Sequence, residues 1–305
     1  MTIALDIATI MYALAQLDDE LGAVTWNSSN PQQEEFFKWL SQYRDCLKDI
    51  KGLEALASHF YKKLNEFLSE RKFNPSVKPF DPTLGIGVVS VLDKLVKWLN
   101  GPGLIVEIPT VLGKKPGFEL PPSGVKIYKV DAYSDMHLLE LLTKSEDTLW
   151  IFAHDTTSSS EDGFIRSDLD LARLSMVVMD SPRRNLTRQF AGAKVPMIDF
   201  DVEADLSWII GADTVAKKEA GMADEYWFIS QAKQQFKMRM DEKGARVKVA
   251  TALVGLRSFS RDPKPFVVDR PFYGWWTQKG IPLPMAAFYA DWDAMKKPAG
   301  SLEDL

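Results

Sequence analysis

The chain has 305 residues, 46% of them hydrophobic and 26% charged, a composition that supports a sizeable core and excludes a largely disordered protein. Its net charge of −5 provides no broad positive field, so nucleic acid is not expected as a partner. A single cysteine, Cys46, excludes an internal disulfide, and with only three histidines we expect no metal site and no cofactor.

The first residues of the chain do not have the pattern of a targeting segment. Residues 1–6 contain no basic side chain, and acidic residues at Asp6 and again at Asp18, Asp19 and Glu20 interrupt the apolar stretch that follows. This pattern fits neither a signal peptide nor a membrane span. We therefore expect a cytoplasmic protein that does not enter a membrane, although the mature form of a secreted protein with an added methionine would have the same sequence.

The first third of the chain is predicted to be mainly helical. Apolar residues between 7 and 22 recur every three or four positions, which is typical of one buried helix face, and Gly22 ends the run. Similar spacing predicts helices over Gln32–Leu47, Leu53–Phe67 and Val88–Leu99. The intervening Arg71–Gly87 segment contains three prolines and is predicted to be extended or looped.

After residue 100 the pattern changes to short β-prone runs separated by proline and glycine. Helical segments are predicted at Met136–Leu142 and Leu206–Ile210. No repeat or linker is visible, so we expect one α+β domain over residues 1–305. The predicted strands are Leu104–Ile108, Val125–Val130, Leu149–Phe152, Leu174–Met179 and Val195–Val202.

The C-terminal third contains a strand pattern that leads into a loop pattern. Gln231–Met240 alternates apolar and charged side chains and predicts a strand with one solvated face. Beyond Gly244 the alternation continues, so that residues 245–251 could form another strand, either permanently or only in one state of the protein. The following residues, 255–265, are polar and contain two prolines, which is typical of an exposed loop.

Several of these segments resemble the serpin superfamily in the order of that family. Residues 240–251 are similar to the serpin hinge, and residues 266–272, Phe-Val-Val-Asp-Arg-Pro-Phe, are similar to the signature after the reactive-centre loop. Residues 9–17, 174–179 and 195–213 resemble the shutter helix and the elements that precede the hinge. The resemblance implies a shortened, divergent serpin-like α+β fold, with a helical N-terminal third packed on β-sheets and an exposed reactive-centre loop at about 242–265.

Two residues depart from the family pattern at the position of the shutter, the polar lock beneath the central serpin sheet. Thr9 stands where the family usually has serine, and Gln234 stands where it usually has histidine. The resemblance therefore implies a lock that has been either rebuilt or lost.

The resemblance also implies a function as a serine protease inhibitor and suicide substrate. The exposed loop would be cleaved as bait at about Arg257-Ser258, although counting forward from Gly244 places the bond one residue later. The target would be a trypsin-like protease, and the inhibitor would be a monomer. After cleavage the hinge would insert into the central sheet and trap the protease. The hinge residues are Glu242, Lys243, Gly244, Ala245, Val247, Val249 and Thr251.

Two other functions are compatible with the sequence. A non-inhibitory serpin homologue would use the same fold as a binding or regulatory module. An enzyme could use His154 and Asp155 with Ser158 as a hydrolase triad, but no nucleophile elbow or oxyanion glycine cluster accompanies them. We therefore expect no catalytic residues and no enzymatic activity.

Overall fold

The protein is described by a computed structural model that covers residues 1–22, 25–74, 77–145, 147–154, 167–216, 224–245 and 263–302. None of the helices in these ranges is long and apolar enough to span a membrane. The N-terminal part contains β1 (Ile3–Asp6), α1 (Ile7–Leu21), β2 (Trp26–Asn27), α2 (Pro31–Leu47), β3 (Leu53–Ser58), α3 (Tyr61–Glu70), β4 (Gly87–Leu92) and β5 (Val96–Lys97).

The remainder of the chain is mainly β-structure. Its middle part contains β6 (Leu104–Thr110), β7 (Gly113–Leu120), β8 (Val125–Val130), β9 (Tyr133–Leu142), β10 (Asp147–His154), α4 (Asp168–Asp180) and β11 (Arg183–Asn185). Its last part contains β12 (Ala193–Pro196), β13 (Ile198–Ala204), β14 (Asp213–Ala216), β15 (Glu225–Phe228), β16 (Gln234–Met240), β17 (Gly244–Ala245), β18 (Phe266–Val267), β19 (Phe272–Gln278) and β20 (Ala286–Ala290).

The strands form one large sheet and several smaller ones in the described part of the chain. The large sheet has the order β1-β20-β19-β10-β9-β8-β11, and a second sheet has the order β18-β12-β7-β6. Helix α4 packs against the large sheet, whereas α1 packs mainly against β3 and β4 and contacts the large sheet at β20. The buried side chains of both helices join those of the large sheet in one continuous core. A smaller core lies between α3 and the antiparallel pair β3 and β4. This layered arrangement of helices on sheets confirms the predicted α+β class.

The helices that the sequence predicts correctly have clear end signals. Helix α1 begins after Asp6, whose side chain accepts a hydrogen bond from the backbone N–H of Thr9, and it ends at Gly22 in the left-handed conformation. Helix α2 begins after Asn30, which caps Gln33 in the same way. Both predictions are confirmed because local capping and an amphipathic face agree.

Three predicted helices are wrong because tertiary pairing outweighs local propensity. Leu53–Phe67 forms strand β3 followed by α3, and Val88–Leu99 forms β4 and β5, with the β-branched Val89 and Val91 of β4 packed on one face in the smaller core. Met136–Leu142 is part of β9, which lies between β8 and β10 and is buried on both faces. A strand buried on both faces has no polar alternation, so its sequence resembles a helix.

One predicted strand is wrong in the opposite sense. Leu174–Met179 lies inside helix α4, although it contains two consecutive valines. The helix begins with a capping box between Ser167 and Asp170, and its buried residues Leu171, Leu174 and Val178 recur at helical spacing. The capping box lies several residues before Leu174–Met179, so the sequence of that segment alone indicated a strand. Leu206–Ile210, predicted to be helical, forms a short 3₁₀ turn at Ser207–Ile209.

Candidate functional site

A cavity of about 850 Å³ lies between strands β4 and β16, and we call it the slot. Strand β4 pairs with β3 through one edge, and β16 pairs with β13 through one edge. In the described ranges, no other strand pairs with β4 or β16 along the edges that border the slot. The slot is therefore bounded by two sheet edges whose backbone groups are open to a further strand.

The slot has a floor, a roof and two walls of different character. The floor is one stripe of α1, formed by Ile10, Ala13, Leu14 and Leu17 at helical spacing. The roof is the connection between α3 and β4, residues 71–86 as far as they are described. The two walls are β4 and the stretch of β16 from Gln234 to Arg239.

One face of β16 is apolar and buried, and the other face is charged. Phe236, Met238 and Met240 are buried in the main core. Lys237 and Arg239 point to the opposite face and pair with the carboxylates of the neighbouring strand β13. A strand added beside β16 would therefore need apolar side chains on one face and could have charged side chains on the other.

At the upper end of the slot the chain reverses direction between Asp241 and Gly244. The Asp241 N–H donates to the Gly244 carbonyl at 2.9 Å, and the Lys243 N–H donates to the Asp241 side chain at 2.8 Å. Gly244 and Ala245 then form β17, which is antiparallel to β5. The beginning of the segment predicted to be the hinge thus lies in a sheet, between the end of β16 and β5.

Two further hydrogen bonds hold this reversal in place. The buried indole of Trp98 donates from Nε1 to the Asp241 carbonyl at 3.0 Å. The Gly103 N–H donates to the Glu242 carbonyl at 2.6 Å. The turn is consequently attached to both sides of the β5–β6 connection, so the direction in which the chain leaves it is well defined.

Gly244 is required at this reversal because of its close approach to β5. Its φ is +153°, and a Cβ atom at this position would lie 2.3 Å from the Val96 carbonyl oxygen. We expect Gly244→Ala to separate β17 from β5 and to lower the free energy of unfolding by about 1–3 kcal/mol in urea titrations. Amide exchange over residues 94–98 should become faster at the same time.

Gly113→Ala is the matched control for this prediction. Gly113 also has a positive φ, +97°, but a Cβ atom there would have nothing within 4 Å. Gly113→Ala should therefore lower the free energy of unfolding only through its unfavourable backbone conformation, and it should leave amide exchange over residues 94–98 unchanged. Equal losses of stability in the two variants, with no local change in exchange, would contradict the steric role of Gly244.

The structure brings Thr9 and Gln234 together at the slot. The Gln234 amide donates to the Thr9 hydroxyl and to the Asp6 carbonyl, each at 2.8 Å, and its oxygen accepts from the Asp6 N–H at 2.7 Å. The Thr9 hydroxyl also lies 3.1 Å from the Asp6 carbonyl oxygen. A single side chain on β16 thus links the strand to the junction of β1 and α1.

Asp6 lies at the centre of this polar cluster and is only 7% exposed. Burial raises the pKa of its carboxyl from 3.8 to about 7, although hydrogen bonds from Thr9 and Ala8 oppose the shift. Asp6 lines the slot together with Thr9 and Gln234. The polar cluster therefore places a carboxyl that titrates near neutral pH at the slot.

The roof of the slot is hydrogen-bonded to β16 and to the residues just before it. The Asn74 N–H donates to the Gln235 side chain and the Lys78 N–H donates to the Gln231 side chain, both at 3.0 Å. The Lys237 ammonium group donates to the Lys72 carbonyl at 2.9 Å. These bonds use side chains of β16 and leave the backbone edge of the strand unpaired by the roof.

The residues that follow the predicted reactive-centre loop lie in the second sheet. Phe266 and Val267 form β18, which pairs in parallel with β12, and the Phe266 side chain is buried beside Phe190 and His137. Asp269 and Arg270 then form an ion pair before the chain enters β19. The strands β17 and β18, which flank residues 246–262, therefore belong to different sheets.

Not all of the predicted site residues lie in the described ranges. Glu242, Lys243, Gly244 and the backbone of Ala245 form the reversal and β17, and Thr9 and Gln234 form the polar cluster. The remaining predicted residues lie outside the described residues; they are Val247, Val249, Thr251, Arg257 and Ser258, together with Asp155 and Ser158 of the alternative triad.

Sequence reasoning missed three residues of the site. Asp6 appeared only as an interruption of an apolar stretch, and Trp98 was placed on a helix. Lys94, between β4 and β5, is nearly buried and pairs with Asp147 at 2.8 Å while also donating to Gln278. Only the position of Asp6 immediately before a helix was available as a signal, because Asp in that position is typical of an N-cap. In the described ranges no group of three or more metal-ligating side chains is present.

A helical layer on β-sheets, a slot between two strand edges, and strands β17 and β18 in different sheets on either side of residues 246–262 together define a fold class. In a comparison with solved structures, this chain aligns over 95% of its length with uncleaved ovalbumin, covering 92% of that chain at 14% identity and a TM-score of 0.57. It aligns over 95% with Serpin48, a highly specific serpin of the insect Tenebrio molitor, covering 91% of that chain at 15% identity and a TM-score of 0.57.

Thyroxine-binding globulin in complex with thyroxine gives a similar result. The alignment covers 95% of this chain and 92% of that chain, at 12% identity and a TM-score of 0.57. No protein-family model and no curated protein matches the sequence. The shared architecture shows that this chain has the serpin fold, which confirms the fold predicted from its motifs.

Proposed function

We propose that the protein is an inhibitor of a serine protease, in which the loop after β17 is the bait and the slot receives the hinge. The observation that carries the proposal is the pairing of Gly244 and Ala245 with β5 at the upper end of the slot. The first residues of the proposed hinge thus form a short strand at the end of the slot, next to the unpaired edges of β4 and β16. Cleavage of the loop would free the following residues to continue that strand.

The register at the reversal predicts which hinge residues would face the core. Extending the antiparallel bridge between Asp241 and Gly244 along β16 places Val247 opposite Met238, Val249 opposite Phe236 and Thr251 opposite Gln234. Residues directly opposite each other point to the same face of an antiparallel pair. The apolar hinge residues would therefore enter the main core beside Phe236 and Met238, and Thr251 would reach the polar cluster at Thr9 and Gln234.

The intervening hinge residues would lie on the opposite face, with Arg246 opposite Arg239 and Lys248 opposite Lys237, and the carboxylates of Asp199 and Asp201 would offset the repulsion between these like charges. Arg246 and Lys248 would share the face of Lys237 and Arg239, whose side chains already pair with Asp201 and Asp199. Insertion would satisfy backbone groups along both strand edges and bury valine side chains, and both changes favour the inserted state. Valine restricts the backbone more than alanine does, so the freed hinge would enter more slowly than an alanine-rich one.

Cleavage itself would be chemistry of the protease, and the protein would have no catalytic residues of its own. Arg257 would enter a specificity pocket with an acidic residue at its base, which is the arrangement in trypsin. The acyl-enzyme formed at Arg257 would then be carried along as the hinge inserts. The partner is consequently a trypsin-like protease, and no cofactor is needed.

A non-inhibitory binding or regulatory module is the second candidate function. It is favoured by the roof, which is tied to Gln235, Gln231 and Lys237, and by the Lys94–Asp147 pair between β4 and β5. Both features would hold the roof and the β4–β5 connection in place, so that the slot could not adjust to admit another strand. For such a module, the hinge would stay outside the slot after cleavage of the loop.

Incubation with trypsin followed by a denaturing gel tests the proposal. We expect a band that resists denaturation and contains both proteins, and a C-terminal fragment that begins at Ser258 when its mass is measured. The melting temperature of the cleaved protein should rise, because insertion adds a strand. Simple cleavage without a covalent band and without a rise in melting temperature would reject inhibition and favour the second candidate.

The loop provides a matched pair of variants for the bait. Arg257→Ala should abolish the covalent band, whereas Arg261→Ala, four residues further on, should retain it. A covalent band that survives in Arg257→Ala and is lost in Arg261→Ala would move the scissile bond to Arg261.

A further inference from the structure

We propose that the slot binds a neutral, elongated apolar small molecule. This inference goes beyond protease inhibition and rests on the slot alone, in the intact chain. The cavity volume of about 850 Å³ lies within the range of roughly 300–1,000 Å³ that is typical of small-molecule sites.

The shape of the slot favours an elongated ligand. All of β4 from Gly87 to Leu92 and the facing stretch of β16 line the cavity. Six strand residues span roughly 17 Å, because a strand rises about 3.3 Å per residue. The floor along this length is the apolar stripe of α1, and the roof adds Phe73, Val77 and Phe80. A rod-shaped apolar molecule would bury most of its surface here.

The charges around the slot favour a neutral ligand. Every basic side chain that lines it, except the exposed Lys72, pairs with a carboxylate. These pairs are Lys94–Asp147, Arg71–Glu54, Lys233–Glu203, Lys237–Asp201 and Arg239–Asp199. The raised pKa of Asp6, about 7, is consistent with a poorly solvated interior that disfavours a charged group. Of the acidic side chains that line the slot, Glu54 and Glu70 pair with Arg71, and Asp81 and Asp93 are exposed to solvent. A charged group inside the slot would therefore lose hydration that these paired or solvent-exposed side chains replace only in part.

Two rod-shaped fluorescent probes with the same diphenylhexatriene core, one of which has an added charged group at one end, test this inference. 1,6-Diphenylhexatriene is neutral, and its trimethylammonium derivative has the same rod with one positive charge. With the intact full chain and no protease, we expect saturable, equimolar fluorescence enhancement for the neutral probe and an affinity weaker by about tenfold or more for the charged probe. Absence of saturable binding, or equal binding of the two probes, would overturn the proposal.

Variants on the slot floor locate the bound probe. Ala13→Leu should fill part of the slot and weaken binding of the neutral probe by about tenfold. Ser69→Leu adds the same side chain on the exposed surface of α3, outside the slot, and should leave binding unchanged. Unchanged binding in Ala13→Leu would place the probe elsewhere and reject the site. If circular dichroism shows that Ala13→Leu is misfolded, Val77→Trp in the roof replaces it with the same expected loss.

The outcome is independent of the proposed inhibition. Probe binding is measured before any loop cleavage, and the trypsin experiment is performed without probe. A protein that traps trypsin but fails to bind the probe would contradict this inference only, and a protein that binds the probe but is simply cleaved would contradict inhibition only.

Discussion

Replacing Val249 with aspartate is expected to convert the inhibitor into an ordinary substrate of trypsin. The register at Gly244 places Val249 opposite Phe236, on the face of β16 that is buried in the main core. Burying an unpaired carboxylate there costs at least about 3 kcal/mol, which corresponds to roughly a hundredfold slower insertion if the cost is present in its transition state. The acyl-enzyme would then hydrolyse before it is trapped.

Lys248→Asp is the control for this variant. Lys248 is the neighbouring residue and would lie opposite Lys237, on the face away from the main core, so an aspartate there would gain a cationic neighbour and should leave the covalent band and the rise in melting temperature intact. Gel densitometry of covalent complex against cleaved chain compares the two variants directly. A Val249→Asp protein that forms as much complex as the parent would show that the hinge does not enter in this register, or does not enter at all.

The buried carboxyl of Asp6 is expected to make the protein less stable as the pH rises from about 4 to about 7. Its pKa is about 7 in the folded protein and 3.8 as a reference for the unfolded chain. Between these values the folded state keeps a proton that the unfolded state has lost, so the free energy of unfolding falls with increasing pH. The full contribution is present below pH 4 and is lost above pH 7, and it is on the order of 4 kcal/mol.

Asp6→Asn isolates this effect from the other titrating groups. Asparagine can still cap α1, so the variant should match the parent near pH 4 and exceed it in stability at pH 8. Urea titrations from pH 4 to 8.5 give the difference between variant and parent at each pH. Asp81→Asn is the control, because hydrogen bonds from Thr83 lower the pKa of the exposed Asp81 carboxyl. The difference in free energy of unfolding between this variant and the parent should therefore be constant above pH 5. If the difference in free energy of unfolding between Asp6→Asn and the parent does not change with pH, the raised pKa of Asp6 is contradicted.

Much of the fold was predictable where local signals and burial agree. Helices α1 and α2 have capping residues at their first turns and apolar stripes, and β16 alternates apolar and charged residues because only one of its faces is buried. Strand β9 and helix α4 were predicted with the wrong type. In β9 residues 136–139 are buried in succession, on both faces of the strand, and in α4 the capping box lies upstream of the misleading valines.

The candidate site was only partly predictable. The motif around Gly244 indicated a hinge, and Thr9 and Gln234 were selected as a pair that the structure joins by a hydrogen bond of 2.8 Å. The slot could not be predicted, since β4 was assigned to a helix and the gap depends on which strands fail to pair. Lys94 and Trp98 were missed for the same reason, because their roles depend on distant partners, Asp147 and Asp241.

The sequence alone determined the α+β class, the order of the main motifs and the alternation in the hinge, because these properties depend on residues close together in the chain. The tertiary structure decided that 87–92 is a strand, that its second edge faces β16 across a cavity, and that Gly244 and Ala245 begin a new strand at the end of that cavity. These strand pairings join residues that are distant in the chain, as in Leu53 with Leu92 and Gly244 with Lys97, and their free energy depends on packing and backbone hydrogen bonds that no local pattern contains.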